Sequence, residues 1–511
     1  MTIRWTAAVL LPLALLFTGG AEGAKKFKEG AITITFGPEP VTMDPHTSSS
    51  AITVTVHRYV FDTLMTRLPG EAAPSPWAAK SVKMIDPKTY EFQLREGVKF
   101  TNGEDVDAAA VKFSLMRPLD PKLKTVQARI FRGIDRIEEV SKWVARVHLK
   151  SPDPTFPNRT ANWGNLVPPK HYSSTDPKVL AIKPIGSGPY KLARWQKDEG
   201  MTFEANPGYW HPEIPRVKGL KVVAIPEMGA RVAALLKGEV DIIRDIPAQF
   251  IPRIEASPRA RVVTTRNVRI FHLGFSHELG GPLQDRRVRR AIAHAIDREV
   301  IVKGVVDGKG GVASQPLHQW TEGHDADRKW PYEYDPGKAK KLLAEAGYPN
   351  GFEIDFHSPA GRYPKDKEVA EVIAGMLRKA GLRVNHNVLT WPAFVNRFRG
   401  KAKPGTKPFL FYIGYGNGGG ETDITLNALA GCKGAWSAYC NPAFEALLDI
   451  ANSTLDMKER DRLFRRMTES LAQDVAHVFI WQMDDVYGLA KRVEWKVRND
   501  DRIYPWEIDL R

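Results

Sequence analysis

The sequence predicts a mixed α/β chain folded into more than one domain, and three observations carry that expectation. The chain has 511 residues, whereas a single hydrophobic core stops growing near ~250–300 residues. Hydrophobic residues make up 43% of it and aromatic residues 10%, a composition that folds rather than staying disordered. Stretches with period-two alternation and stretches with helical spacing follow one another along the chain, so strands and helices are mixed. The formal charge of +15 is scattered over the whole length. It suits solubility and a bias toward acidic ligands or surfaces. No aromatic platform interleaves with the basic residues, so nucleic acid is not indicated.

At the amino end Arg4 precedes an apolar run, Ala7 to Phe17, broken by Pro12. Ala21 and Gly23 are small residues placed before a cut near Gly23–Ala24. The pattern is a secretory signal peptide over 1–23, too short for a membrane span. No later run is long and apolar enough to cross a bilayer, so the mature chain is expected to be soluble in the periplasm. The signal contains no cysteine, which excludes a lipid anchor at a mature N-terminal Cys. Cys432 and Cys440 are the only cysteines, and an oxidising compartment makes a disulfide between them the expectation.

Residues 31–36, AITITF, read as a strand, followed by a turn-rich segment from Gly37 to Ser50. A helix is expected from about Ala51 to Met65, with Val54, Tyr59, Val60 and Leu64 inward. Thr47 to Ser50 precede it. Their hydroxyl and N–H groups either cap that helix or, at Ser48 and Ser49, hold a polar ligand. Asp86–Pro87 and Asn102–Gly103 are turn signals, and Tyr90, Phe92 and Leu94 alternate between them as in a half-buried strand. Asp107 is placed to cap a helix over Ala108 to Arg117. A strand pair over about 134–149 and proline-rich loops over 152–170 follow. In IGSGPY, residues 185–190, two glycines beside a proline suit a hinge or a tight backbone approach. The serine there lacks the spacing of a nucleophile elbow.

LQDRRVRRAIAHAIDREVIV, residues 283–302, reads as a helix capped by Asp285. Val288, Ala291, Ile292, Ala295 and Ile296 make its apolar stripe, and Arg286, Arg287, Arg289 and Arg290 fall off the stripe as a solvated face. Asp297 caps a second helix with Val300 and Ile301 inward. Asp335 and Pro336 open another helix, lined by Ala339, Leu342, Leu343 and Ala346 and ended by Gly347. A strand at 352–356, a helix at 365–380 and a strand at 383–389 make a βαβ unit. Phe409 to Ile413 is a buried-strand run leading into a glycine-rich loop. Helices over 442–453 and 458–474 and a strand over 479–482 complete that region.

Several of these stretches resemble the family 5 solute-binding proteins of ABC importers, the group that includes dipeptide, oligopeptide, glutathione and nickel receptors. The likeness rests on D-x-R-V-R-x-A-I-x-x-A-I-D-R-x-x-I from Asp285, LREGVKF with VKFS over 94–114, and IGSGPY. It also rests on TMDPH at 42–46, NPGYW at 206–210, GEVDI at 238–242 and YDPGKAKKLLAEAG at 334–347. The resemblance implies a two-lobed periplasmic binding protein fold, type II with an extra domain and a hinge of crossing strands. It implies three domains: a non-contiguous domain I over 24–65, 185–268 and 478–511, domain II over 66–184, and domain III over 269–477.

Ligands in open α/β lobes sit beyond the carboxyl ends of strands, and the loop after Ile413 starts there. In the family the corresponding strand ends in Gly-Trp, and an aspartate three residues after the Trp grips a peptide's amino terminus. Here Tyr415 replaces the tryptophan and Gly418 stands at the aspartate's position. Either Glu421 or Asp423 takes over that role, or the ligand has no free amino terminus there; both acids could instead solvate the loop and cap the next helix. Asn417 belongs to the same loop. Trp391 and Tyr415 carry over by position as aromatic walls, Trp481 less directly. The leading expectation is a receptor, not an enzyme, that captures a peptide or peptide-like solute and delivers it to ABC importer permease subunits. It would be a monomer without cofactor or metal. A nickel or metallophore receptor is the alternative within the fold, but His46, His57, His272 and His277 show no ligand spacing. A secreted hydrolase is the alternative outside it, and no nucleophile-and-base motif supports it.

Overall fold

The computed structural model describes residues 28–511 apart from 38, 49, 70, 72, 124, 126 and 400–404. The signal-peptide reading of 1–23 and the candidate Ser49 lie outside the described residues.

Eleven strands form one continuous sheet, and two long strands join its halves. In the first half, Lys28–Gly37 runs parallel to Val217–Ala224 on one side and Ile242–Ile243 on the other. Its alternation turns Ile32, Ile34 and Phe36 into a core shared with Tyr59, Leu220 and Tyr487. In the second half, Glu353–Ala360 lies parallel to both Arg383–Thr390 and Phe409–Gly416. The helix Asp366–Lys379 makes the crossover, so the expected βαβ unit is present. Phe409 to Ile413 are all buried, as a strand covered on both faces requires.

The joining strands are Ala260–Phe275 and His477–Ala490. Their outer parts pair Ala260 with Ala490 through Arg266 with Asp484 in the first lobe, and Ile270 with Gln482 through Gly274 with His477 in the second. Between Arg266 and Ile270 the register slips. Asn267, Val268 and Arg269 stand against Met483, a bulge of the kind that bends a strand pair and re-aims its side chains. A separate antiparallel sheet, with Ala79–Asp86, Thr89–Leu94, Val144–Leu149 and Ile134–Ser141 as successive neighbours in space, packs Phe92, Leu94 and Val147 against Val111 and Leu115 of the helix Ala108–Met116. Asp107 caps that helix through the Ala110 N–H.

The helix Arg286–Ala295 begins where its cap predicts, with Asp285 accepting from the Arg287 N–H at 2.7 Å. Val288, Ala291, Ile292, Ala295 and Ile296 are buried. Arg289 corrects the solvated-face reading: it is 3% exposed. Its guanidinium donates to the carbonyls of Leu283, Gln284, Asp474 and Val475 at 2.7–3.2 Å and to the Asp474 carboxylate at 3.0 Å. It thereby satisfies carbonyls at the end of the helix Met457–Asp474, which have no partner within that helix. Val300 is a second correction: it is exposed, while Ile301 and Val302 turn inward, because the chain widens into a π-helical turn over Ile301–Val305. A third concerns the helix from Ala51, which stops at Val60; Phe61 to Met65 continue buried but outside it.

Gly186 and Gly188 take the tight-approach reading and not the hinge. A Cβ on either would lie 2.1 or 2.6 Å from the Val60 carbonyl oxygen, and the Gly188 N–H donates to that oxygen at 2.8 Å. They lock strand and helix inside the first lobe, and the joining strands lie elsewhere. Cys432 and Cys440 are disulfide-bonded, with S–S 2.01 Å.

Candidate functional site

The carboxyl ends of three strands, each parallel to a neighbour in its own lobe, meet where the lobes face each other. Ile242–Ile243 leads into Arg244 and Asp245, Glu353–Ala360 into Arg362 and Tyr363, and Phe409–Gly416 into the glycine loop. This is the place an open α/β sheet offers a ligand. A cavity of about 240 Å³ lies there against the second joining strand. Ile246, Val306, Pro364, Trp481, Met483 and Val486 give it apolar walls, and Asp245, Gln249, Asp307, Lys309, Lys365, Glu368 and Asp484 are its polar members. Asp245, Asp307 and Lys365 hold φ of +60°, +55° and +56°. Such values are uncommon for side-chain-bearing residues and cluster at functional sites.

The bulge carries a buried charge network. Asn267 donates to both Asp485 and Asp501. Arg244 meets Asp245 at 3.0 Å and Asp501 at 3.3 Å, and Arg269 meets Asp501 at 3.3 Å and the Gly414 carbonyl at 3.2 Å. Burial opposes the Asp501 charge, but Arg244 and Arg269 outweigh it and hold this carboxyl below the usual range. Burial and the neighbouring Asp501 push Asp485 well above it. The two shifts run in opposite directions, which is how two carboxyls can share a dry site.

The glycine loop leans on the first lobe. Asn417 is spent within the loop: its side chain donates to the Glu421 carbonyl at 2.8 Å and accepts from the Gly419 N–H at 3.1 Å. Glu421 and Asp423 are buried at the start of the helix Thr422–Ala430. Glu421 accepts from Asn162 at 2.9 Å, and Asp423 pairs with Arg159 at 3.0 Å. Both partners belong to the helix Phe156–Asn162 beside the four-stranded sheet, so these acids tie the lobes together. A Cβ at Gly418 would lie 2.8 Å from the Asp500 carbonyl oxygen. Gly418, Arg67, His318 and Asp500 share a pocket of only about 10 Å³, water-sized.

The aromatic candidates separate. Trp481 is 2% exposed and stacks on Phe271 with ring centres 4.5 Å apart, so it is core with one edge on the cavity. Trp391 opens the helix Trp391–Arg399, half-buried against Phe394 and Trp436. Tyr415 is half-buried at its strand's end. Burial pushes its phenol up, while Arg129 of the first lobe is near enough to lower it. Ser48 accepts from the Ser50 N–H at 3.2 Å, and its carbonyl accepts from Gln127; it serves local structure. Ser50 precedes the helix without a side-chain capping bond.

Arg244, Asp245, Arg269, Arg362 and Asp501 were missed by the sequence reading. Arg244 and Arg362 follow parallel strands, so the strand-end rule that singled out the glycine loop also points to them. Among the described residues no group of three His, Cys, Asp or Glu side chains is arranged to hold a metal ion. No helix among them is long and apolar enough to cross a membrane.

Solved structures share this architecture. HbpA2 from Haemophilus parasuis superposes with a TM-score of 0.81 at 24% identity, over 94% of this chain and all of that one. DppA from Helicobacter pylori, in complex with the peptide STSA, gives 0.80 at 24% identity, over 94% of this chain and 98% of that one. By sequence, the glutathione-binding protein GsiB of Pectobacterium atrosepticum is 25% identical over 94% of this chain and 93% of its own. Heme-binding protein A of Haemophilus influenzae is 28% identical over 82% and 80%. The profile of the bacterial extracellular solute-binding proteins, family 5, matches residues 73–437, and the chain belongs to that family.

Proposed function

We propose that this protein is a periplasmic receptor that captures a peptide or peptide-like solute between its lobes and hands it unchanged to the permease subunits of an ABC importer. The observation that carries this is the cavity between two lobes joined by two strands that bulge at the crossing. A strand pair whose register slips between Arg266 and Ile270 and again between Phe271 and His272 suits hinge closure around a ligand. The binding proteins that resemble the chain include one named for glutathione and one bound to a short peptide, which favours a peptide-like cargo. The edge of Trp481 gives the cavity aromatic surface, as small organic solutes require, and Trp391 and Tyr415 belong to the same reading as aromatic walls. Secretion through a cleaved signal peptide, action as a monomer, the absence of catalysis and the three-domain division belong to the same reading.

The test is to purify the protein from periplasm, release its cargo by denaturation and identify it by mass spectrometry. The same compound is then incubated with fresh protein. A receptor returns it unaltered after many equivalents; a product of changed mass would mark an enzyme.

A further inference from the structure

One wall of the cavity of about 240 Å³ is pinned to the joining strand beside it. Gly310–Val312 pairs antiparallel with Trp481, Gln482 and Met483. At the two ends of that pairing the Asp484 N–H donates to the Lys309 carbonyl at 3.2 Å, and the Ala313 N–H to the Ile480 carbonyl at 3.1 Å. The approach is close: a Cβ on Gly310 would lie 2.5 Å from the Gln482 carbonyl oxygen and 2.8 Å from the Trp481 ring. Just before this strap the chain turns through the left-handed conformation at Asp307 and Gly308, with φ of +55° and +69°. That turn brings Val306, Asp307 and Lys309 to the cavity. The backbone therefore holds the wall in place before a solute arrives.

The charges around the cavity cancel. Asp245 pairs with Arg244 at 3.0 Å. Asp484 Oδ1 lies 2.5 Å from Arg266 Nε, paired by charge though out of hydrogen-bond line. Glu368 faces Lys365 at 3.9 Å. Asp307 and Lys309 flank Gly308, the first exposed and the second half-buried. Four acids are thus matched by two lysines of the lining and two arginines behind it. The unpartnered acid oxygens at the glycine loop, Glu421 Oε2 and Asp423 Oδ1, do not line this cavity. What it offers inward is apolar: Ile246, Val306, Pro364, Met483, Val486 and the edge of Trp481. A group entering it sheds water, and a charge that does so without a free counter-ion is strongly disfavoured. An apolar group gains instead, in proportion to the area covered.

We infer that the solute places an uncharged apolar group, of at least isobutyl size, in this cavity beside the hinge. This rests on the receptor reading and narrows the cargo to solutes that carry such a group, peptides with large aliphatic or aromatic side chains among them.

Calorimetry on protein stripped of its cargo tests it, with tripeptides of a single residue type as probes: alanine, valine, leucine, asparagine and lysine. Leucine and asparagine side chains are nearly equal in size, so that pair separates apolarity from fit. Trileucine should bind at least about tenfold tighter than triasparagine or trilysine. From alanine to leucine, affinity should rise about fourfold for each methylene that enters. Ala248→Trp fills the cavity from a half-buried turn, and Val306→Asp places a charge in its buried wall; both should erase the preference for leucine. A preference that survives Ala248→Trp overturns the inference, and so does triasparagine or trilysine binding as tightly as trileucine. The receptor reading stands in either case. Where no tripeptide binds, the cargo recovered from periplasm decides: an apolar group of that size supports the inference, and its absence overturns it with the receptor reading intact. No binding and no recovered cargo remove the receptor reading and the inference with it.

Discussion

Arg289→Ala is the substitution whose cost the structure raises most above the sequence reading. In the folded protein one guanidinium serves four main-chain carbonyls and one carboxylate. Its side chain is 4% exposed, while that of Asp474 is 31% exposed. Water can therefore reach the Asp474 carboxylate after truncation but not all of the carbonyls. A buried polar group left unpaired costs roughly 1–3 kcal/mol. With two such groups left dry and the arginine stem lost from its packing, the cost is about 4 kcal/mol. For a lobe of this size that lowers Tm by roughly 8–15 °C. Thermal melting of Arg289→Ala should show this, with the exposed Arg286→Ala as the control. Hydrogen exchange should locate the loosening in the last turn of the helix Met457–Asp474. A loss no larger than that of Arg286→Ala would refute the capping role.

Three further outcomes follow from the same geometry. Asp423→Asn removes the charge pair with Arg159 that ties the lobes; solute affinity should fall by about 10- to 100-fold, and equal affinity would show the pair to be idle. Burial pushes His46 and His57 down to about 4 and His272 and His277 to about 3. Between pH 6.5 and 4 the unfolded chain therefore binds more protons at these sites than the folded one, and Tm should fall as pH drops through that window; a level or rising profile would contradict it. Trp391, at the cleft edge beside Arg362, should change its emission on closure. Trp391→Phe should lose most of the optical change and still contract in small-angle scattering.

What could be read from the sequence was short-range. Asp107, Asp285 and Asp335 cap helices through N–H groups two or three residues away, so residue type and spacing suffice. The βαβ unit from Glu353 to Thr390 follows from alternation, a helical stripe and alternation again. Arg289 could not be placed that way, because its partner Asp474 is 185 residues distant. Position off the stripe suggested solvent, and a second helix end lay there instead. Glu421 and Asp423 were seen as candidates, but their partners Arg159 and Asn162 come from another lobe more than 250 residues earlier in the chain. The network at the crossing draws Asp501 from an irregular C-terminal segment with no periodicity to read. The positive φ of Asp245 and Lys365 follows from tertiary packing and leaves no mark in residue type.

The central claim is that the lobes close about the bulge at residues 267–269 on a solute that leaves unchanged. Small-angle scattering of stripped protein, titrated with the cargo recovered from periplasm, tests it most directly. The radius of gyration should fall along the same binding curve that calorimetry reports, and the recovered cargo should match the added compound. Saturable binding with no contraction would contradict the claim.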